Sequence, residues 1–419
     1  MHRSPQDTRR ERRDGSDLSA DHPSGSMKST ARLATAAALL DQIRAGDPAE
    51  KVLTNWGRAA RYAGSGDRAA VRDIVYDILR TQRSCAALGG GVGGRSLAIG
   101  YVRGRGEDLS DWFTGARHAL PALSDGELQA GAPPEGWAAL DLPDWIGPLL
   151  AESLGSDLEP VANELRKRAP VFLRVHAGHG SREEAMARLA EEGISAVPHP
   201  LAETALRIET GARRVRTSQA FAEGLVEVQD AASQAVCAAL PVGPGVTVLD
   251  YCAGGGGKAL ALAARGAAVT VHDANPGRMR DLSPRVERAG DEIAIVTPQR
   301  VDEAGWFDTV LVDVPCSGSG AWRRQVEAKW QLTETRLAEL IALQAQILSR
   351  AAKHVKPGGA LAYVTCSLLD EENEGQIMRF LADGPGQFRL ERQRRWSPLE
   401  GGDGFFLALL RDRRHDDTR

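Results

Sequence analysis

No apolar run in these 419 residues approaches the roughly 20 residues a membrane-spanning helix needs. A chain threaded through a bilayer by helices is therefore excluded. Cysteine is scarce. Cys85, Cys237, Cys252, Cys316 and Cys366 are odd in number, scattered, and contain no Cys-x-x-Cys pair. That argues against a disulfide framework and against a zinc site, so no metal is expected and a reducing cytoplasm fits best. Aromatic residues make up only 5% of the chain, and neither sign of charge dominates, with 52 Lys and Arg against 56 Asp and Glu. A protein that coats nucleic acid indiscriminately is strongly basic. Any RNA contact here must come from local basic surfaces. The first 26 residues mix Arg with Asp, Ser and Pro and lack the apolar stretch of a signal peptide.

What is present is an aliphatic, turn-rich composition typical of α/β proteins, in a chain long enough for two or three domains. Residues 1–27 read as a disordered tail. Met27 opens the first structured segment, which leaves a start at Met27 as a second reading. From 28 to 142 the pattern is helical. Ala31 to Ile43 carries apolar residues at helical spacing up to Gly46, and Asp67 is placed to cap the run Val71, Ile74, Val75, Ile78 and Leu79. Residues 143–228 alternate short helices and strands in a βαβ-like pattern, with strands at Val171–Val175, Ala205–Ile208 and Leu225–Val228. This small α/β unit bears Arg166-Lys167-Arg168 and Arg213, Arg214 and Arg216, readable as an RNA grip or as a solvated surface.

From 229 to 419 strand-length apolar runs alternate with helical stretches. The runs are Val246–Asp250, Ala268–Asp273, Ala294–Val296, Asp308–Val314 and Ala360–Cys366, with Phe405–Leu410 as a further candidate. Buried strands separated by helices imply a doubly wound, Rossmann-like parallel sheet. Ligands of such sheets bind at the carboxyl ends of the strands.

The first of these strands runs into Asp250-Tyr251-Cys252-Ala253-Gly254-Gly255-Gly256-Gly257-Lys258. Glycines permit a tight turn and close approach of a ligand to backbone. Asp273, at the end of the second strand, can accept hydrogen bonds from ribose hydroxyls. A nucleoside-containing cofactor follows, but a dinucleotide would satisfy the same residues, and an NAD-dependent oxidoreductase stays open at this point. A P-loop is disfavoured because Ala259, not Ser or Thr, follows Lys258.

Two further strand ends carry thiols. One reads Asp313-Val314-Pro315-Cys316-Ser317-Gly318-Ser319-Gly320, the other Thr365-Cys366-Ser367. Methylating carbon 5 of cytosine calls for such groups. Thiolate attack at carbon 6 makes carbon 5 enamine-like and able to accept a methyl from a sulfonium. A carboxylate such as Asp313 near ring nitrogen 3 and the exocyclic amine favours that attack, and a second thiol can assist departure of the first. Cys85 and Cys237, on helices, read as small buried hydrophobes, and Cys252 as structural.

These segments resemble the Nop/Sun family of RNA cytosine-5 methyltransferases, in its bacterial ribosomal small-subunit branch. The resemblance rests on Asp250–Lys258, on Asp313–Gly320 with Arg323-Arg324 and Lys329-Trp330, and on Thr365-Cys366-Ser367 with Glu371-Glu372-Asn373-Glu374. Asp403-Gly404-Phe405-Phe406 adds to it. It covers about the last 190 residues, and Ala31–Leu88 is similar to the antitermination-factor-like domain that precedes the catalytic part in that branch. The resemblance implies a class I methyltransferase domain using S-adenosylmethionine, with a ribosomal RNA substrate; a monomeric protein in the cytoplasm is expected. It implies Cys366 as nucleophile, Cys316 as the group that helps release product, and Asp313 near both substrates. The cofactor would lie on Cys252, Ala253, Gly254, Gly255, Gly256, Gly257, Lys258 and Asp273. Two departures stand out. Gly254-Gly255 replaces the Ala-Pro usual in the family, which predicts a looser loop. The acidic residue expected after the third strand is absent, leaving Asp302 as nearest candidate for the adenine contact. A ribosome-assembly factor with the same fold and little activity is the competing reading.

Overall fold

The computed structural model describes residues 26–383 and 386–414, so the expected tail lies almost wholly outside the described residues. Helices Ser29–Arg44, Ala49–Ala59, Ser65–Arg80, Gln82–Gly89 and Gly94–Gly104 build the N-terminal region. Their apolar faces meet in a cluster containing Leu40, Val52, Val71, Val75, Ile78 and Leu97, the stripe expected of helices that bury one side. Asp67 does not occupy the cap position. It sits in the first turn of Ser65–Arg80 and accepts the N–H of Gly64, the residue that does cap the helix (3.1 Å).

A four-stranded sheet follows: β1 (Phe172–Val175), β2 (Ser195–Pro198), β3 (Ala205–Thr210) and β4 (Val226–Val228), in the order β2-β3-β1-β4. Every pairing is antiparallel. This corrects the βαβ-like expectation, because the helix Arg182–Glu191 leads from β1 to an edge strand that pairs with β3 instead of returning beside β1. β2 escapes sequence inspection because neither of its faces is buried, so no alternation marks it.

The larger sheet contains β5 (Thr247–Asp250), β6 (Ala268–Val271), β7 (Ile293–Ile295), β8 (Phe307–Asp313), β9 (Val355–Thr365), β10 (Phe388–Trp396) and β11 (Phe405–Asp412). Its order is β10-β11-β9-β8-β5-β6-β7. The five strands from β9 to β7 are parallel, and β11 and β10 continue the sheet antiparallel. Apolar residues of β5, β8 and β9 are buried in the two clusters that cover opposite faces of the sheet, as a doubly wound fold requires. Strand order reverses between β5 and β8, which opens a crevice at their carboxyl ends. β10 was not foreseen. Its sequence Phe-Arg-Leu-Glu-Arg-Gln-Arg-Arg-Trp has no apolar period, but as an edge strand it draws its hydrogen bonds from β11, and its charges deter further pairing.

The helical region docks on the segment after β8. Arg80 Nε donates to the Arg323 carbonyl (3.1 Å), Trp330 Nε1 to the Leu79 carbonyl (2.8 Å), and Ala49 N to Glu327 Oε1 (2.9 Å). Arg168 and Arg213 both reach Asp73, and Arg166 pairs with the fully buried Asp141. Arg166 is thereby tied to a buried partner, whereas Arg168 and Arg213 make exposed ion pairs of little energetic weight. Lys329 is buried here, its ammonium donating to the Arg80 carbonyl (3.0 Å). Burial lowers its pKa to about 7, with the neighbouring Asp141 charge opposing. Below about pH 7 both folded and unfolded chains carry this proton, and the folded state bears the full cost of a buried charge. Between pH 7 and the ordinary lysine value only the unfolded chain is protonated, so stability rises with pH. Lys329→Met is therefore expected to stabilise the protein by about 1–3 kcal/mol near pH 6. Thermal unfolding should show the gain shrinking towards pH 10.

Candidate active site

After Asp250 the chain turns through Tyr251–Gly256 into the helix Gly257–Ala263. Gly256 adopts φ +77°, and a Cβ there would lie 2.1 Å from Leu282 Cδ1, so only glycine fits. The Gly254-Gly255 pair, expected to loosen the loop, is tied from several sides. Asp273 Oδ2 accepts the Gly254 N–H (3.0 Å) and Arg285 donates to the Gly255 carbonyl. Gln229 Nε2 and Arg174 Nη1 both reach the Gly257 carbonyl at 3.2 Å.

A cavity of about 770 Å³ opens at the strand ends. Of the residues singled out in the sequence, Cys252, Ala253, Gly254, Gly255, Gly257, Lys258, Asp313, Cys316 and Cys366 line it. Gly256 does not reach its wall. Asp273 lies buried beneath the loop, where its oxygens take the N–H groups of Gly254 and Asn275. Asp302 is exposed on the turn Val301–Glu303 and is not among the residues that line the cavity.

β8 and β9 are neighbours, so their ends bring the two thiols together: Cys316 Sγ lies 3.4 Å from Cys366 Sγ. Contact with Cys366 and burial together raise the Cys316 pKa well above the ordinary thiol range, so Cys316 keeps its proton at neutral pH. On the adjacent wall Lys258 Nζ donates to Asp313 Oδ2 (2.6 Å). Burial works against the Lys258 charge, but the Asp313 carboxylate outweighs it and the ammonium pKa is raised. Lys258 also stands 4.9 Å from the Phe405 ring centroid, a favourable cation–π distance.

Both cysteine loops rest on one carboxylate that sequence inspection quoted without a role. Glu372 is fully buried. Its Oε1 accepts Ser317 N (2.8 Å) and Gln344 Nε2 (2.9 Å), and its Oε2 accepts the hydroxyls of Ser317 and Ser367. Ser317 and Ser367 each follow a cysteine directly, so this hub sets the spacing of the sulfurs. The loops are further joined by Gly320 N donating to the Cys366 carbonyl (2.9 Å). Gly320 itself must be glycine, because a Cβ would meet the Gly404 carbonyl oxygen at 2.2 Å. Asp250 is a second residue without an earlier role. It is buried at the end of β5, lines the cavity, and its Oδ1 has no hydrogen-bond partner.

Comparison with known proteins decides the family. A family model described as 16S rRNA methyltransferase RsmB/F matches residues 238–411, and one described as the RsmF/B-like ferredoxin-like domain matches residues 142–215. Ribosomal RNA small subunit methyltransferase B of Xanthomonas campestris is 35% identical over 314 residues, covering 70% of this chain and 69% of that protein. The chain belongs to the RsmB/F family. The Klebsiella pneumoniae protein of the same description is 36% identical over 287 residues, covering 65% of this chain and 66% of that protein. This chain thus matches about two thirds of the length of these relatives.

Among solved structures, PH0851 superposes with a TM-score of 0.73 at 25% identity, covering 92% of this chain and 99% of that one. A methyltransferase homologue from Pyrococcus horikoshii gives a TM-score of 0.57 at 25% identity, covering 65% of this chain and 96% of that one. NSun6 from the same organism, solved with SFG, gives 0.58 at 17% identity, covering 65% and 98%, and speaks to the fold alone. The Rossmann-like core of this family member is therefore the methyltransferase fold. Among its described residues no group of three or more His, Cys, Asp or Glu is placed to hold a metal ion, and no helix is long and apolar enough to cross a membrane.

Proposed function

We propose that this protein transfers a methyl group from S-adenosylmethionine to carbon 5 of a cytosine in small-subunit ribosomal RNA, through a covalent adduct on Cys366. The observation that carries the reading is the 3.4 Å approach of Cys316 and Cys366 on a cavity wall shared with the glycine loop. Names of the relatives support RNA as substrate. In this reading residues 143–228 and the helical residues 28–142 present the RNA to the domain 229–419, in a cytoplasmic monomer.

The cavity fits the cofactor. Its glycine wall offers bare backbone, and the unpartnered Asp250 Oδ1 offers an acceptor. The loop from Cys252 to Lys258 would hold it, with Asp273 beneath, and when bound it supplies an electrophilic methyl on a sulfonium. Asp302, exposed after the third strand, is the candidate for the adenine contact. The chain's own residues do the rest. The Cys366 thiolate attacks carbon 6 of a cytosine unstacked from its helix, since a stacked base presents no face to the sulfur. Asp313 accepts from the exocyclic amine, and the Lys258 ammonium held against it stabilises negative charge developing on the ring. After methylation, loss of the carbon-5 proton to water restores the double bond and expels the Cys366 thiolate. Cys316, which keeps its proton, donates a hydrogen bond to that departing sulfur.

Cys316→Ala separates attack from release. This variant is expected to accumulate a protein–RNA adduct that survives denaturing electrophoresis and disappears in the double variant with Cys366→Ala. Turnover without any adduct would remove Cys316 from the release step.

A further inference from the structure

Phe172, Leu173, Arg174 and Val175 form β1, and all four are buried, the arginine included. Alternate residues of a strand face opposite ways. Leu173 and Val175 enter the core of the small sheet, while Phe172 packs with Ala231 of the helix Ala231–Ala239 that follows β4. Arg174 shares the face of Phe172 and crosses from the small sheet to the glycine loop of the large one. Its Nη1 donates to the Gln229 side-chain oxygen (3.1 Å) and to the Gly257 carbonyl (3.2 Å), and Gln229 Nε2 reaches that carbonyl too (3.2 Å). Gln229 and Gly257 line the cavity, and Arg174 touches it only through them.

This guanidinium has no counter-ion among the described residues. Glu227, its cross-strand neighbour on β4, is bound by Arg288 and Arg285. Asp291, the other acid whose charge acts on it, lies against His176 (3.3 Å). The Arg174 Nε–H has no hydrogen-bond partner at all. Burial lowers the Arg174 pKa, as it does for any cation taken out of water without compensation. A charge in this state works against folding, and an apolar side chain of similar length would fill the space without that cost. Stability therefore does not account for an arginine here.

We propose that Arg174 is a positioning residue for the cofactor loop: anchored in the small sheet, it fixes Gln229 and the Gly257 carbonyl, and through them keeps the glycine loop in its ligand-binding shape before the cofactor arrives. The proposal rests on reading the cavity as an S-adenosylmethionine site. The run Gly254-Gly255-Gly256-Gly257 has no side chains to limit its backbone, so its shape must be imposed from outside. A protein whose loop is competent for only a fraction of the time binds its ligand more weakly by that fraction. The reacting groups stand elsewhere. Asp313 ends β8, Cys316 and Cys366 follow β8 and β9, and Arg174 hydrogen-bonds none of them. Loss of Arg174 is thus a loss of cofactor affinity and not of the methyl-transfer step.

Arg174→Met and Arg174→Lys in the full chain test this. S-adenosylmethionine is titrated calorimetrically without RNA, methylation is followed at saturating cofactor, and thermal unfolding is recorded alongside. Arg174→Met should bind the cofactor about tenfold more weakly, as though the competent loop had fallen to about a tenth of the population. Its kcat should stay within about twofold of wild type, the signature of lost binding without lost chemistry. Its melting temperature should fall by no more than about 2 °C, because the lost hydrogen bonds are offset by removal of an uncompensated charge. Arg174→Lys keeps a cationic donor and should recover part of the affinity. Wild-type affinity in Arg174→Met overturns the proposal. So does a fall in kcat with cofactor binding unchanged, or failure of both variants to fold, since either marks Arg174 as a structural residue. Absence of S-adenosylmethionine binding by wild type sinks the cofactor reading itself, a distinguishable result.

Discussion

Cys366→Ala is expected to lower cytosine methylation by at least about 10⁴-fold, to the background of the uncatalysed reaction. The carbon-5 position has no other route to enamine character, so the loss belongs to the chemical step and should appear in kcat. Binding should be nearly untouched, because a single sulfur on the cavity wall contributes little of the contact with either substrate. Cys366→Ser is the sharper control. The hydroxyl nearly matches the thiol in size but holds its proton far more tightly, so packing is preserved while the nucleophile is lost. Bisulfite sequencing of ribosomal RNA incubated with each variant reads the outcome directly. Undiminished methylation by Cys366→Ala would remove the covalent mechanism, and methylation by Cys366→Ala but not by Cys316→Ala would exchange the two roles.

Glu372→Ala should cause the largest loss of stability. The carboxylate lies at zero exposure and accepts four hydrogen bonds, from Ser317 N, Ser317 Oγ, Ser367 Oγ and Gln344 Nε2. Truncation strands these donors in a buried site and leaves a cavity besides. Each unsatisfied buried donor costs roughly 1–3 kcal/mol, but partial rearrangement recovers some of it, for a net of about 3–5 kcal/mol. That corresponds to a fall in melting temperature on the order of 10 °C. Activity should drop further than stability explains, because Ser317 and Ser367 hold the cysteines beside them. Glu372→Gln distinguishes the contributions. It keeps one acceptor oxygen and turns the other into a donor facing hydroxyls that can rotate, so it should recover much of the stability and less of the rate. Thermal unfolding alongside single-turnover methylation separates the two. An unchanged melting temperature in Glu372→Ala would show that the network is not what sets the thiol spacing.

Much of this was readable from local chemistry. The apolar runs of β5, β8 and β9 are dictated by burial on both faces, and burial of a strand leaves the same mark wherever it stands in a sequence. The glycine loop was legible because a tight turn at a strand end tolerates few other residues. Where side-chain pattern and environment part company, reading failed. β2 and β10 form through backbone hydrogen bonds to their neighbours, to which side-chain polarity contributes little. Nothing in the sequence signalled that the basic residues Arg166, Arg168 and Arg213 pair with Asp141 and Asp73.

The sequence by itself determined the class of fold, the placing of two cysteines and an aspartate at strand ends, and, through its motifs, the family. Those features are encoded by neighbours a few residues apart. Only the tertiary structure decided what lies between the elements: that the sulfurs are in contact across β8 and β9, that Glu372 braces the loops that carry them, that Asp273 supports the loop from beneath, and that Asp250 is buried with one oxygen unpaired. Each of these depends on distance and dielectric between residues tens to hundreds of positions apart, and those quantities come into being when the strands are assembled side by side.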